Sequence, residues 1–551
     1  MASSDHTPPS TAKNGQLINL PTELYALIAS HLTNKDLKSL RLTCKRFGNS
    51  VHLRIDRVFL SASPLDVAVC RAIADHELYR TRVVELIWDD ARLDSPPEPP
   101  RAYQCQHRRQ HIEPFWKEWY SETCHRNRKD AKNRKSDDVD RPDHDARARW
   151  IAAQPPLDEL WVHYKELFHQ QQQTLKASSD AWALQHALSS FPSLRTITLT
   201  PAAHGVPFTP LYQTPMIRAL PYGFNYPIPR GWPTKEPHDW LRLSLWKKGL
   251  DQDEIDKNKW RGFRIITWML ARHDHAVSEF VVDVSLLGTG LNAHMFDEKC
   301  DEYNDLVTML LKPGFRRIDL ALMVEGQDHT GWPAFRNGNL KTALGLASDL
   351  ERVSLRTDVP YEVSCEDWQA DGGNEHFIPL RTIFPIEKWM KLRHFGLSGF
   401  IVRQNDIISL LAALPSTLRS VELSFLHFQL GHGTNREFLF ALRDNLPWRE
   451  RPVAERPRIT MGWHEENGEP AEGQATWVDD EVDAFVYGSG DNPFPEEMPH
   501  WVSYGSGTVR DIFEPANGRP HVDIVDLMRL GIIKKHPMVL PPDDPAWLTS
   551  E

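Results

Sequence analysis

Apolar residues recur along the chain at two spacings, and the order of these spacings predicts alternating helices and strands. Stretches with apolar residues three or four positions apart predict helices at 180–189, 262–271, 303–311, 340–347 and 407–414. Short stretches with apolar residues at the first, fourth and sixth positions follow, and their composition is typical of strands. The seven predicted strands carry the triplets Val83/Leu86/Trp88, Leu194/Ile197/Leu199, Val277/Phe280/Val282, Phe315/Ile318/Leu320, Leu350/Val353/Leu355, Leu392/Phe395/Leu397 and Leu418/Val421/Leu423.

This strand pattern resembles the Leu-x-x-Leu-x-Leu core of the leucine-rich repeat. The resemblance implies an α/β solenoid with a parallel sheet, in which stacked helix–strand units bury apolar edges that no single unit can cover. The spacing between units is irregular, and the Asn or Cys of the regular repeat is missing. We therefore expect an irregular arc with insertions. The alternative is a different α/β fold that also alternates helices with strands.

The N-terminal stretch 17–51 has helical spacing only. It predicts two short helices that meet at Thr33 and Asn34, with Pro21 at the first helical position and Thr33 capping the second helix together with Asp36. A helical unit this small cannot bury both of its apolar stripes within itself, so part of that surface needs a partner. The stripes consist of Leu24, Leu27, Ile28 and Leu32, then Leu37, Leu40, Cys44, Phe47 and Val51.

The same stretch resembles the F-box, whose residue series it follows without a gap: Leu20, Pro21, Glu23, Leu24, Ile28, Leu32, Asp36, Leu37, Leu40, Cys44, Lys45 and Phe47. The resemblance implies an all-helical module that docks on the SKP-type adaptor of cullin-based ubiquitin ligases. The residues expected to be covered by that adaptor are Leu20, Pro21, Leu24, Ile28, Leu32, Leu37, Leu40, Cys44 and Phe47. The alternative is an ordinary helical hairpin packed on its own domain.

Composition and charge narrow the class of protein. Of the 551 residues, 40% are apolar and 25% are charged, which is typical of globular chains. The net charge of −11 disfavours general binding to nucleic-acid phosphates. The six scattered cysteines indicate reduced thiols, the N-terminus has no signal-peptide core, and no apolar run is long enough to span a bilayer. We therefore expect a cytoplasmic or nuclear protein that binds neither membrane nor nucleic acid.

The expected domain organisation follows from these patterns. Residues 1–15 form a disordered lead-in, 16–60 the F-box, 61–465 the repeat-like array and 466–551 a C-terminal cap or tail. The tail resembles one seen in filamentous-fungal F-box proteins.

Several stretches do not follow the repeat pattern. The array carries insertions at 94–147 and 201–260. The charged run 126–135 predicts a mobile, solvated loop, and a nuclear import signal or a nucleic-acid-binding patch is the less favoured interpretation. Residues 53–60 predict a third helix or an extended link, and residues 458–463 an eighth strand.

Motifs for catalysis or metal binding are missing from the sequence. Cys105, His107, Cys124 and His125 lack the usual zinc spacing, so we expect neither a metal nor another cofactor. There is no nucleophile elbow and no phosphate-binding loop. The sequence therefore predicts a non-catalytic protein. An enzyme with a site in the 201–260 insertion or the C-terminal segment is the least favoured interpretation.

The strand residues between the apolar ones point to the opposite face of the sheet, and in a curved array this face is concave. Acids lie on the first and third predicted strands and arginines on the fourth and fifth, which is a patterned surface suited to a partner of mixed charge. The alternative is that these polar residues serve solubility alone. The predicted substrate-binding residues are Glu85, Asp89, Glu279, Asp283, Arg317, Arg352, Arg356 and His394.

Together these features predict the substrate-recognition adaptor of an SKP-cullin-F-box ubiquitin ligase. By this resemblance its partners are the SKP-type adaptor, a cullin reached through it, and an unknown protein substrate. The three arginines Arg317, Arg352 and Arg356 have the chemistry to bind a phosphate on that substrate. A protein-binding scaffold outside any ligase is the alternative.

Overall fold

The computed structural model describes residues 20–97, 112–133, 142–234, 243, 245–247, 251–324, 327, 331–359, 377–464, 473–514 and 518–529. The helices are α1 Thr22–Ser30, α2 Asn34–Thr43, α3 Lys45–Ser50, α4 Pro64–Ala74, α5 Ile112–Asn133, α6 Pro142–Ala152, α7 Leu157–Ala177, α8 Ser179–Ser190, α9 Pro215–Ala219, α10 Asp251–Lys257, α11 Arg261–Arg272, α12 Asp301–Leu310, α13 Pro333–Arg336, α14 Asn339–Leu346, α15 Gln404–Ala412, α16 Asn435–Asn445, α17 Asp479–Tyr487 and α18 Ile524–Arg529. The strands are β1 Arg57–Ser61, β2 Glu85–Asp89, β3 Thr196–Thr200, β4 Glu279–Val282, β5 Leu291–Asn292, β6 Arg317–Met323, β7 Arg352–Thr357, β8 His394–Ser398, β9 Ile401–Val402, β10 Ser420–Ser424, β11 His427–Phe428, β12 Arg458–Thr460, β13 Gly462–Trp463, β14 Gln474–Trp477, β15 Thr508–Asp511 and β16 Arg519–Pro520.

A ten-stranded sheet runs through most of the described chain, in the order β1-β2-β3-β4-β6-β7-β8-β10-β12, with β5 beside β6. Every pair in this sheet is parallel, so each connection must return across the sheet, and helices occupy most of these connections. All seven predicted strand stretches lie in it, and the prediction of a helix-and-strand fold with a mostly parallel sheet is confirmed. Its leucine-rich-repeat character stays a prediction.

The core lies between this sheet and the helices that connect its strands. One residue from each of three neighbouring strands illustrates the packing: Ile197, Phe280 and Ile318 are completely buried and pair in register. They meet the inner faces of α8, α11 and α12, which carry Leu184, Phe263 and other apolar residues of the same cluster. Because side chains alternate between the two faces of a strand, burying one face leaves the other for polar residues.

The start of the array differs in detail from the sequence expectation. Of the stretch predicted to be a third helix or an extended link, Arg57–Ser61 is extended and forms the first strand of the sheet. At the other end of the sheet, Arg458–Thr460 pairs with β10, which confirms the additional strand predicted there.

The basic run is mostly helical, not a mobile loop, and this prediction is wrong for residues 126–133. These residues form the end of α5, while Arg134 and Lys135 lie outside the described residues. The helix is held by its own apolar side, because Tyr120 and Cys124 are buried against Trp161 and Tyr164 of α7. Charge along one side of a helix is compatible with packing of the other side.

The C-terminal segment packs at two places. α17 lies against α16 and β12, next to the last parallel strand. The four-stranded antiparallel sheet β13-β14-β15-β16 begins two residues after β12. After β15, Phe513 packs against Ala202, Val206 and Leu287, which lie in the segments that follow β3 and β4. The described C-terminal residues therefore connect the late strands of the parallel sheet with the early ones.

Candidate protein-binding surfaces

The first candidate surface is on the N-terminal helical unit, α1 to α3. The predicted cap of α2 is present as a capping box, in which the Asp36 amide donates to the Thr33 hydroxyl and the Thr33 amide donates to the Asp36 carboxylate, both at 3.2 Å. The Thr33 hydroxyl also donates to the Asp36 carboxylate at 2.6 Å, and this hydrogen bond, together with the one from the Thr33 amide, lowers the pKa of Asp36. The predicted second helix is interrupted at Cys44, whose backbone is extended, so the unit has three helices.

A small core holds the three helices together. Tyr25 from α1, Leu37 from α2, Phe47 from α3 and the following Val51 are all buried, and the Tyr25 and Phe47 rings meet edge-on with centroids 5.3 Å apart. This cluster is separate from the main core of the array. The unit therefore folds around apolar residues of its own.

The nine residues predicted to be covered by a partner divide into three groups. Pro21 and Leu24 are exposed, and the partly buried residues are Leu20, Leu32, Leu40 and Cys44, which pack against the small core, and Ile28. Leu37 and Phe47 are 0% and 4% exposed, so the expectation that they offer surface to a partner is corrected. Their burial follows from the third helix, which closes over the second.

The structure also shows two exposed apolar residues that the predicted set did not contain. Leu27 on α1 and Leu42 on α2 are 59% and 87% exposed, compared with 44% for Leu24. Leu27 was already visible in the apolar stripe of the first helix, whereas Leu42 lies outside the helical period and gave no such signal. Leu24 and Leu27 lie three positions apart on α1, so they form an exposed apolar side on a unit that has its own core.

The chain after the unit is tied back to it by polar contacts. The Asn34 side chain donates to the Arg54 carbonyl at 2.7 Å and accepts from the Arg54 amide at 2.9 Å, and the Arg54 guanidinium donates to the carbonyls of Ser30 and Leu32. A side-chain contact from Arg41 to the Tyr79 hydroxyl, at 3.3 Å, joins α2 to the segment before β2. These contacts fix the unit at the beginning of the sheet.

The second candidate surface is the polar face of the parallel sheet. The strand register places the predicted residues in rows that cross the sheet, because residues that face the same side of neighbouring strands pair with each other. The first row contains Arg57, Glu85, Thr196, Glu279, Arg317, Arg352, His394, Ser420 and Arg458. The second row contains Phe59, Ile87, Thr198, Val281, Asp319, Ser354, Gly396, Glu422 and Thr460. The third row contains Ser61, Asp89 and Thr200, then Ala321, Arg356, Ser398 and Ser424.

Hydrogen bonds between strands occupy the acids of the first row. Glu85 accepts from the Arg57 guanidinium at 2.7 Å and from the Thr198 hydroxyl at 2.8 Å, and Glu279 accepts from the Thr196 hydroxyl at 3.0 Å. These groups stay partly exposed, so the acidic part of the face is accessible but already partnered.

Asp89 is not a surface residue, and its prediction as a substrate-binding group is corrected. It is 3% exposed, and burial raises the pKa of its carboxyl well above the ordinary value. His204 lies 3.5 Å from it and hydrogen-bonds the Tyr226 hydroxyl at 2.7 Å. Burial also lowers the pKa of His204 to about 3, so the histidine is neutral here. The 201–260 insertion covers this end of the third row.

Tyr212 from the same insertion reaches Asp283, which directly follows β4. Its hydroxyl donates to the Asp283 carboxylate at 3.2 Å, and its ring contacts Phe59 with centroids 6.1 Å apart. Sequence reasoning missed Tyr212 because it comes from an irregular segment, whose side chains have no periodic relation to the strands.

The middle of the face is cationic. Arg317 donates to Asp319 at 2.8 Å, and burial raises the pKa of Asp319, an effect that the arginine opposes. His394 hydrogen-bonds the Ser420 hydroxyl at 2.8 Å, and burial, helped by Arg352 and Arg317, lowers its pKa to about 4. The positive charge of the region therefore comes from the arginines.

Two rings from loops complete this region. The Arg356 guanidinium lies 5.5 Å from the centre of the Phe425 ring, which stacks on His464 with centroids 4.1 Å apart. Phe425 has a positive φ of 54°, which turns the chain directly after β10. Neither residue is part of the strand pattern, and the sequence carried no signal for them.

The described residues contain no group of three or more histidine, cysteine or carboxylate side chains placed to hold a metal ion, and Cys105 and His107 lie outside them. None of the helices in the same residues combines the length and the apolar character that crossing a bilayer requires.

Residues 17–56 match the family model of the F-box domain, which spans the helical unit and the chain up to β1. No curated protein matches the chain.

Proposed function

From the F-box domain at residues 17–56, we propose that this protein is the substrate-recognition adaptor of an SKP-cullin-F-box ubiquitin ligase. F-box proteins typically act in such complexes, where the domain binds an SKP-type adaptor, and they are generally non-catalytic. The observation that carries the proposal is the match itself, on a unit that folds around its own core and still exposes Leu24 and Leu27. Those two leucines lie three positions apart on α1, so they share one helical face.

The rest of the chain has the features of a receptor for the target. We assign target binding to the polar face of the parallel sheet, and we interpret the sheet and its helices as an irregular leucine-rich-repeat-like solenoid with this face on its concave side. Successive parallel strands in chain order support that interpretation, as does the register of the polar rows. A receptor of this kind needs no reactive side chain, because holding a target near the conjugating enzyme raises the effective concentration of the reactants.

The adaptor contact is tested with the double variant Leu24→Asp and Leu27→Asp in the full chain. Both side chains are exposed, so the substitutions leave the small core intact but put two charges where an apolar partner surface has to pack. We expect at least about a tenfold loss of co-purifying SKP-type adaptor, since a few central residues carry most interface energy. Quantitative mass spectrometry of the affinity-purified protein measures this.

The matched control is Leu311→Asp, which changes a leucine of similar exposure on the array. It should co-purify the adaptor like the unsubstituted protein. Equal adaptor recovery with the double variant would refute docking through α1. Adaptor recovery without any cullin would favour a binding protein that works outside the ligase.

A further inference from the structure

Two arginines on the polar face, the exposed Arg352 and the partly buried Arg356, have no carboxylate partner among the described residues. Arg352 and Arg356 are four positions apart on β7, so both side chains point to the polar side of the sheet. Among the described residues, no carboxylate oxygen lies within 4.0 Å of either guanidinium, whereas the neighbouring Arg317 is paired with Asp319. Burial lowers the pKa of Arg356, which is the direction expected for a charge without a partner.

The next strand, β8, packs closely against β7 beside these arginines. Gly396 on β8 pairs with Ser354 of β7, and a Cβ at this position would collide with the Ser354 side chain. Two positions further along β8, Ser398 pairs with Arg356, is 2% exposed, and its hydroxyl has no hydrogen-bond partner among the described residues. A buried hydroxyl without a partner is costly, and here it lies in the same row as an unpaired guanidinium.

Arg356 is held in place from another side. Its guanidinium lies over the Phe425 ring, and the stack of Phe425 on His464 limits the movement of that ring. A pre-oriented guanidinium loses less freedom when it binds a planar acidic group, which it can hold through two parallel N–H donors. Arg356 and Ser398, which pair in register on adjacent strands, therefore form a site with donors and no carboxylate acceptor among the described residues.

The charges around the site select the kind of anion. Arg352 and Arg356 bring two positive charges, and the carboxylates of Glu422, Asp283 and Glu279 act on them from the neighbouring strands. His394 is neutral at pH 7 because its pKa is lowered to about 4, and Arg317 is balanced by Asp319. Because three carboxylates surround two arginines, the surroundings hold no surplus positive charge, so they oppose a singly charged carboxylate less than a doubly charged phosphoryl group.

We propose that this site binds one carboxylate, presented by an aspartate or glutamate side chain in an extended segment of the target protein. The proposal rests on the proposed function, since it names the chemistry that the target-binding face recognises. Arg356 supplies two parallel N–H donors, Ser398 supplies a hydroxyl donor, and Arg352 supplies charge at the open side of the site. The whole chain has a net charge of −11, so general electrostatic attraction does not draw acidic peptides to it.

The test uses fluorescein-labelled hexapeptides and the full-length protein, with fluorescence anisotropy as the readout. The probes are hexaglutamate, hexaglutamine, and a hexapeptide of alternating serine and phosphoserine, whose three phosphates carry about the same total charge as six glutamates. The variant is Arg356→Met, which keeps an extended side chain beside Phe425 but removes the charge. The control variant is Arg393→Gln, an exposed arginine directly before β8.

We expect Arg356→Met to weaken hexaglutamate binding by about tenfold or more, the loss typical of a charge-assisted hydrogen bond, and Arg393→Gln to change it by less than about twofold. Hexaglutamine should not bind. Unchanged binding by Arg356→Met, or equal binding of hexaglutamine, would overturn the proposal. Binding of the phosphoserine peptide about tenfold more tightly than hexaglutamate would replace the carboxylate with a phosphoryl group.

Stability and adaptor binding distinguish a ligand-binding role of Arg356 from a structural one. Removing an unpaired, partly buried charge should leave the melting temperature unchanged or raise it, whereas a fall of several degrees would mean that Arg356 is a structural residue. Arg356→Met should still co-purify the SKP-type adaptor, and the Leu24→Asp and Leu27→Asp variant should still bind hexaglutamate. If the unsubstituted protein binds hexaglutamate but not the SKP-type adaptor, the proposed function fails while the carboxylate site stands.

Discussion

His394 is buried enough in the polar face to remain uncharged near neutral pH. Arg352 on β7 and Arg317 on β6 face it from one side, Ser420 on β10 bonds it from the other, and its pKa is lowered to about 4. In the unfolded chain the same group titrates near the ordinary value of 6.5. The unfolded state therefore takes up a proton first as the pH falls, and the folded state loses stability between pH 6.5 and 4.

The corresponding prediction concerns His394→Asn, which keeps a polar side chain next to Ser420 but cannot titrate. Between pH 7 and pH 5, the unsubstituted protein should lose about 2 kcal/mol of unfolding free energy that the variant does not lose. Urea unfolding of both proteins at the two pH values measures the difference. The same pH dependence in both proteins would show that His394 takes up its proton equally in the folded and unfolded states.

At the scale of single residues, the sequence predicts which face a side chain occupies but not how deeply it is buried. The alternation along each strand correctly grouped Glu85, Glu279 and Arg352 in one row. It failed for Asp89, which is covered by His204 from an insertion more than a hundred positions away. Depth depends on loops that follow no period, so strand alternation carries no information about it.

At the scale of elements, α2 depends on one apolar residue. Leu37 is completely buried between α1 and α3, in a core of only four fully buried residues. Leu37→Ala should therefore cost about 2–5 kcal/mol and unfold the N-terminal unit, while Leu24→Ala, at an exposed position, should cost much less. Hydrogen exchange of residues 22–50 in the two variants reports this directly.

Both variants should leave exchange in the parallel sheet unchanged, because the small core is separate from the main one. If both variants lose adaptor binding but only Leu37→Ala loses exchange protection, then Leu24 contacts the adaptor directly and Leu37 stabilises the fold of the N-terminal unit. Equal protection in both variants would contradict the assignment of Leu37 to the unit's own core.

Elements with a regular period were the ones that the sequence predicted well. The second and third residues of all seven apolar triplets lie in the sheet, whereas the first lies two positions before each strand. The predicted helices 180–189 and 262–271 differ from α8 and α11 by one residue at each end. The basic run was predicted as a loop because only Asn127 and Ala131 within it continue the buried side of α5 that begins with Tyr120 and Cys124. The break at Cys44 escaped prediction since the apolar spacing continues through it to Phe47.

At the scale of the whole molecule, the C-terminal antiparallel sheet joins parts of the parallel sheet that are far apart in the chain. It begins beside β10 and β12, where the Phe425 amide donates to the Gly462 carbonyl at 2.8 Å. It ends at the segments after β3 and β4, where Phe513 packs, and at α6, whose Arg147 forms an ion pair with Glu514. The sequence predicted only that the C-terminal segment covers the last repeat, and it gave no indication of the contact with the segments after β3 and β4.

This connection predicts a local response to the loss of Phe513. The ring is 6% exposed and fills the space between Ala202, Val206 and Leu287, so Phe513→Ala should cost about 3–5 kcal/mol at that contact. Hydrogen exchange should increase at 202–206, 284–287 and 508–511, and stay unchanged in β7 and β8, which keep their own core. Tyr504→Ala, an exposed aromatic residue in the same segment, is the matched control and should change neither region. We expect a local response because a region of this size unfolds at a lower free energy than the whole sheet does. An equal loss of protection over all the strands would show instead that the C-terminal sheet and the array unfold as one cooperative unit.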